Sequence, residues 1–223
     1  MGFDPSIVKA ICFDVDGTLS DTDDQWVSRY SGVLKPVSFL FPNRRPQDFV
    51  RWAVMVSESP ANMVYHLLDR FNLDDDVARI YNFLSQHGKD HSPANFWMVE
   101  GVRDLLENLH SKYPMAVVSA RGASTFRFLD QFALTPFFKT IVISDTCQYT
   151  KPYPDPVLWA AGKMGVTPQN CLMVGDTCVD IKAGKAAGAQ TAGVLCGFGK
   201  EKELRRSGAD LIINHTAELA SYL

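Results

Sequence analysis

Two aspartates one residue apart, followed by glycine and a hydroxyl, close an apolar run in Ile11-Cys12-Phe13-Asp14-Val15-Asp16-Gly17-Thr18. Paired carboxylates at the end of a buried strand offer hard oxygen ligands, which suit a hard divalent cation. A calcium-binding EF-hand loop starting at Asp14 would need glycine at its sixth position and glutamate at its twelfth, where Leu19 and Gln25 stand, so the spacing excludes it. By themselves the two acids could equally be turn formers or helix caps. Three more apolar runs, however, end in groups of matching chemistry. Ser119 follows Met115-Ala116-Val117-Val118, Lys151 follows the Ile141 run in Thr150-Lys151-Pro152, and Asp176 and Asp180 follow Leu172-Met173-Val174-Gly175.

For these groups to meet, the runs that carry them must be neighbouring strands. Ile7 to Phe13, Met115 to Ser119, Thr140 to Ser144, Cys171 to Gly175, Thr191 to Leu195 and Leu211 to Ile213 are short and nearly continuously apolar, as expected of strands covered on both faces. Helical patterns lie between them at Val102 to Leu109, at Pro156 to Met164 with Asp155 as the expected N-cap, and at Val179 to Ala187. Strand alternating with helix predicts an α/β fold, a doubly wound, Rossmann-like parallel sheet whose strand C-terminal ends share one ligand-binding edge. The stretch 21–93 breaks the alternation. Prolines at 36, 42 and 46 punctuate helical segments there, so the expected organisation is a catalytic core of residues 1–20 and 94–223 with a helical cap inserted at 21–93. Leaving just after the first strand, that cap would act as a lid on the ligand edge.

The motifs, in this order and each at a strand end, resemble those of the haloacid dehalogenase-like hydrolases, and within them the phosphoglycolate phosphatase type, over Ile7 to about Leu219. The resemblance implies that Asp14 is a nucleophile forming an aspartyl-phosphate. It implies Mg2+ held by Asp14, the main-chain carbonyl of Asp16, and Asp176, with Asp180 orienting Lys151 or a metal-bound water from the second shell of the metal. Asp16 would serve as general acid and then general base. Ser119 and the main-chain N–H of Ala120 would hold the phosphoryl group, and Lys151 would stabilise its charge. Relatives often carry asparagine at the position of Ala120, a change that removes one side-chain contact and leaves the main-chain donor. Gly101 to Leu106 resembles the helix that re-enters the core after the cap, and Gly197-Phe198-Gly199 reads as structural.

The same resemblance separates chemistries within the superfamily. Dehalogenases and phosphonate-cleaving members lack the acid at Asp16, and transport ATPases carry threonine there. Sugar-phosphate mutases keep that acid but usually place glutamate where Gly175 stands, which favours transfer to water over transfer to a second sugar hydroxyl. A mutase or other phosphotransferase is the nearest alternative, and a catalytically silent binding module is the alternative of a different class.

Bulk properties agree with an enzyme acting on a small phosphorylated metabolite. The 223 residues are 46% hydrophobic and 21% charged, enough for a real core. A formal net charge of −3 with scattered basic residues gives no field for nucleic acid, and no apolar run is long enough to span a bilayer. Five cysteines without a C-x-x-C pair read as reduced thiols, so the expected setting is the cytoplasm and the expected state a monomer or homodimer.

Overall fold

The computed structural model describes residues 2–21 and 96–223; the expected cap lies almost entirely outside the described residues. Six strands form one sheet: β1 (Ala10–Phe13), β2 (Met115–Val118), β3 (Thr140–Val142), β4 (Cys171–Gly175), β5 (Gln190–Val194) and β6 (Leu211–Ile213). Their order is β3-β2-β1-β4-β5-β6, and every pairing is parallel. The order reverses between β1 and β4, which makes the C-terminal ends of those two strands the switch point where a doubly wound sheet binds ligands. Asp14 and Asp176 follow these two ends directly.

Helices α1 (Val102–His110), α2 (Ser124–Gln131), α3 (Asp155–Met164), α4 (Cys178–Ala187) and α5 (Glu201–Arg206) connect or flank the strands. Because side chains alternate across a strand, the sheet divides its residues between two cores. Ile11, Phe13, Met115, Val117, Leu172 and Val174 join Leu105, Leu106 and Leu109 of α1 on one face. Ala10, Cys12, Ala116, Cys171 and Met173 join Ala160, Ala161, Ala183 and Ala187 of α3 and α4 on the other. Small residues on this second face let the helices lie close to the sheet. At Gly184 a Cβ would sit 2.5 Å from Thr191 Cγ2 and 2.9 Å from Met173 Cβ.

The expected strands are all present, with ends displaced by up to three residues. The first begins at Ala10, because Pro5–Ile7 forms a 3-10 turn capped by the Asp4 side chain, which accepts from the Ser6 N–H at 3.0 Å. Asp155 is the first residue of α3 rather than its cap, a position that Pro154 takes. The helix Ser124–Gln131 was not expected, since its short amphipathic run follows the Ser119 loop without a sequence cap. All five cysteines are free, and no helix of the described residues is long and apolar enough to cross a membrane.

The described segments before and after residues 22–95 are stitched together. Asp21 N–H donates to Trp97 O at 2.9 Å, Ser20 Oγ donates to the same oxygen at 3.2 Å, and Val99 N–H donates to Leu19 O at 3.0 Å. The described residues on either side of 22–95 therefore lie side by side, a few residues beyond Asp14.

Packing at Gly184 generates a prediction for the core. Gly184→Ala should destabilise the protein by about 1–3 kcal/mol through overpacking against β4 and β5, read as a lower urea midpoint with an unchanged slope.

Candidate active site

Asp14 continues the line of β1, its N–H donating to Val174 O of β4 at 2.9 Å. The chain then turns sharply. Leu19 and Ser20 N–H both donate to Val15 O, and Gly17, at φ +70°, donates its N–H to Ser20 O at 2.9 Å. A Cβ on Gly17 would lie 2.4 Å from Asp176 Oδ2, so this position needs glycine for space as well as for its left-handed backbone. From behind, Thr216 Oγ1 donates to Thr18 O at 2.7 Å and Cys196 Sγ lies 3.4 Å from Gly17 O.

Lys151 is the centre of the arrangement. It is buried, and its Nζ donates to Asp14 Oδ1 and to Asp180 Oδ1, each at 2.6 Å. Asp180 is fixed in turn by Thr177, whose N–H and Oγ1 donate to Asp180 Oδ2 at 3.0 and 2.6 Å at the start of α4. Burial works against a charged Lys151, but the charges of Asp14 and Asp180 overcome it and hold the ammonium well above the usual lysine range. For Asp14 the balance falls the other way. Burial raises its pKa most, Lys151 opposes, and the charges of Asp180 and Asp16 add to the rise, leaving it pushed up from 3.8 to about 7. Burial thus outweighs the single ammonium at Asp14, which has the charges of Asp180 and Asp16 beside it.

Asp14, Asp176 and Asp180 each present a carboxylate oxygen within 4.8 Å of the others. Asp176 is wrapped by main chain: Phe198 N–H donates to its Oδ2 at 2.7 Å, and a Cβ on Gly197 would come within 2.2 Å of that same oxygen. A buried, oxygen-only group with excess negative charge fits a hard divalent cation such as Mg2+. Both oxygens of Asp180 already accept hydrogen bonds from Lys151 and Thr177, which suits it to orienting neighbours.

The remaining expected residues are close by in the chain fold. Ser119 is buried at the end of β2, its N–H donating to Val142 O at 2.9 Å, and its Oγ accepts from Arg121 N–H at 3.0 Å. Ala120 lies between them in that turn. Asp16 does not join the carboxylate group: its side chain, 28% exposed, pairs with the Arg121 guanidinium. Its expected place at a metal thus rests on its main-chain carbonyl alone.

Three features escaped the sequence reading. Gly197 to Gly199, read as structural, closes directly on Asp176, and on Gly199 a Cβ would overlap the Asp176 carbonyl oxygen. Arg121 went unnoticed because an arginine after a strand-end serine has no motif of its own. Thr177 could have been found, since Thr177-x-x-Asp180 has the spacing of a capping box.

The family model described as haloacid dehalogenase-like hydrolase matches residues 11–194. The chain belongs to the haloacid dehalogenase-like hydrolase family. It is similar to Pyrophosphatase PpaX of Bacillus pumilus, 28% identical over 221 residues covering 96% of this chain and 95% of that protein. It is likewise similar to a Phosphoglycolate phosphatase of Chromobacterium violaceum, 29% identical over 218 residues covering 95% of each. The fold matches a haloacid dehalogenase-superfamily hydrolase of subfamily IA from Geobacter sulfurreducens, with TM-score 0.64, 20% identity and full coverage of both chains. The family and the enzyme class, a phosphatase of the haloacid dehalogenase-like type, are as the motifs implied.

The raised pKa of Asp14 sets a pH dependence. Its folded value of about 7 exceeds the usual 3.8, so its contribution to stability is complete below about 3.8 and is lost as pH rises to about 7. In chelator, Asp14→Asn should therefore lose less stability than the wild type between pH 4 and 7, measured as the pH dependence of the unfolding free energy.

Proposed function

We propose that the protein is a Mg2+-dependent phosphatase that moves the phosphoryl group of a small metabolite onto Asp14 and then to water. The observation that carries this reading is the buried Lys151 joined at once to Asp14 and Asp180, beside Asp176, at the switch point of the sheet. Such a site supplies both a carboxylate nucleophile and a fixed positive charge for a phosphoryl group.

In the first step an Asp14 carboxylate oxygen attacks phosphorus as the bond to the leaving oxygen breaks, and Asp16 gives that oxygen a proton. Lys151, the Ser119 hydroxyl and the Ala120 N–H hold the transferring oxygens. In the second step Asp16 takes a proton from water, which attacks the phosphorus and frees both orthophosphate and Asp14. Mg2+, held by Asp14, the Asp16 carbonyl and Asp176, would offset the repulsion between carboxylate and phosphate dianion. Asp180, through Lys151, keeps the ammonium aimed at Asp14.

Hydrolysis is favoured over mutase chemistry by the wall at Gly175. A Cβ there would meet Asp180 Cγ at 2.3 Å, so the glutamate usual in mutases would displace the partner of Lys151. The relatives' names point to pyrophosphate and phosphoglycolate. Both compounds carry a further anionic group beyond the bond that is cut, and a small phosphorylated metabolite of this kind is the substrate class we assign. The inserted residues 21–93 would act as the cap that closes over it.

Two measurements test the mechanism. Orthophosphate release from phosphoglycolate or pyrophosphate should require Mg2+, stop with excess EDTA, and fall at least about 10³-fold in Asp14→Asn, as expected when a covalent nucleophile is removed. Release that survives in Asp14→Asn would overturn the nucleophile assignment. Asp16→Asn should lower kcat by roughly 10²- to 10⁴-fold on alkyl phosphates, the usual contribution of general acid–base catalysis. The loss in the first step should be smaller on p-nitrophenyl phosphate, whose leaving group needs no proton, and burst kinetics would show it as accumulating phospho-enzyme.

A further inference from the structure

Arg121 is built into this site and no step above uses it. Its backbone is held on both sides, the N–H donating to Ser119 Oγ at 3.0 Å and the carbonyl accepting from Ser144 N–H at 3.0 Å. Its guanidinium lies over the ring of buried Phe96, 5.7 Å from the centroid. Phe96 is itself clamped to α2, its N–H donating to Gln131 Oε1 at 3.3 Å and its carbonyl accepting from Gln131 Nε2 at 2.9 Å. One terminal nitrogen, Nη2, pairs with Asp16. The other, Nη1, is buried and has no hydrogen-bond partner among the described residues.

A guanidinium carries five N–H donors in a rigid plane, so one edge can hold Asp16 while another serves a second acceptor. A buried donor left unmet is costly, and a charged one more so. The place of the unmet donor is informative. If Asp16 is the group that protonates the leaving oxygen, the guanidinium that grips it would stand nearest the leaving portion of the substrate.

We infer that Arg121 is a substrate-binding residue that selects substrates whose leaving portion carries an anion, a carboxylate or a second phosphate, close to the ester oxygen. This inference rests on the phosphatase reading for the direction of the substrate, and it adds the residue in the core that reads the leaving group. The face of the ring at Phe96 holds the guanidinium by cation–π contact without consuming any of its donors. Selection by the core would then operate before any contribution from residues 22–95.

Binding of non-hydrolysable ligands tests this apart from turnover. Phosphonopropionate mimics phosphoglycolate with a methylene in place of the ester oxygen, and propylphosphonate is its counterpart without the carboxylate. With Mg2+ present, calorimetry on the wild type should show phosphonopropionate bound roughly 10- to 100-fold more tightly, the range for a hydrogen bond to a charged group. Arg121→Gln should collapse that preference to under about 3-fold, chiefly by weakening phosphonopropionate, and Arg121→Lys should restore part of it, because a point charge replaces the planar fork. The ratio of kcat/KM for phosphoglycolate to that for ethyl phosphate should fall in parallel. Equal weakening of both ligands in a folded Arg121→Gln protein would reduce Arg121 to a positioning residue for Asp16 and overturn the inference. No preference in the wild type, or a preference untouched by Arg121→Gln, would overturn it as well. Phosphate release persisting in Asp14→Asn would instead sink the phosphatase mechanism and leave the ligand preference to stand or fall by itself.

Discussion

One buried ammonium holds three parts of the chain in register. Lys151 arrives from the loop after β3, Asp14 from the end of β1 and Asp180 from the first turn of α4, and the two hydrogen bonds of 2.6 Å tie them at the centre of the sheet edge. Charges this deep are tolerable only when paired and hydrogen-bonded, because desolvation of any one alone would cost more than folding could recover. The pairing is incomplete as it stands. Asp14 and Asp180 share one ammonium, and burial, with the charges of Asp180 and Asp16 added, still pushes the Asp14 carboxyl upward. A site poised in this way gains from a further positive charge, which is the physical basis for assigning it a divalent cation.

The surrounding main chain explains why so little side-chain variety is needed. Gly17, Gly197 and Gly199 all approach Asp176 so closely that a Cβ on any of them would collide with it, and Gly175 does the same to Asp180. The absence of side chains there is a packing requirement of the acids. It also keeps the wall beside Asp180 too tight for the larger residue that a mutase would place at Gly175. The pair formed by Asp16 and Arg121 is less buried than the lysine cluster, with side chains 28% and 18% exposed. Hydrogen bonds join Leu19 to Asp21 with Trp97 to Val99, the described residues on either side of 22–95.

Much of this was legible in the residues. Continuous apolar runs ending in polar groups identify central parallel strands, because only strands buried on both faces lack alternation, and a strand's last residue is where backbone pairing ends and side chains turn to solvent or ligand. The order of Asp14, Asp16, Ser119, Lys151 and Asp176 along the chain carried the family, since each must sit at such an end. What the residues could not show was direction. Asp14 and Asp16 are alike in type and two apart, yet the turn at Gly17 sends the first into the lysine cluster and the second outward to Arg121. Gly197-Phe198-Gly199, more than twenty residues beyond Asp176 in sequence, reaches it only because β5 pairs with β4 and brings its following loop alongside.

By itself, then, the sequence determined the doubly wound class, the set of chemical groups and the family, because these depend on local periodicity and on residue types at strand ends. Only the tertiary structure decided which carboxylates share the lysine, that Arg121 stands beside the second acid, and that main-chain atoms close around Asp176. Those facts depend on the spatial strand order and on contacts of a few ångströms between segments far apart in the chain. Local sequence carries no record of such distances.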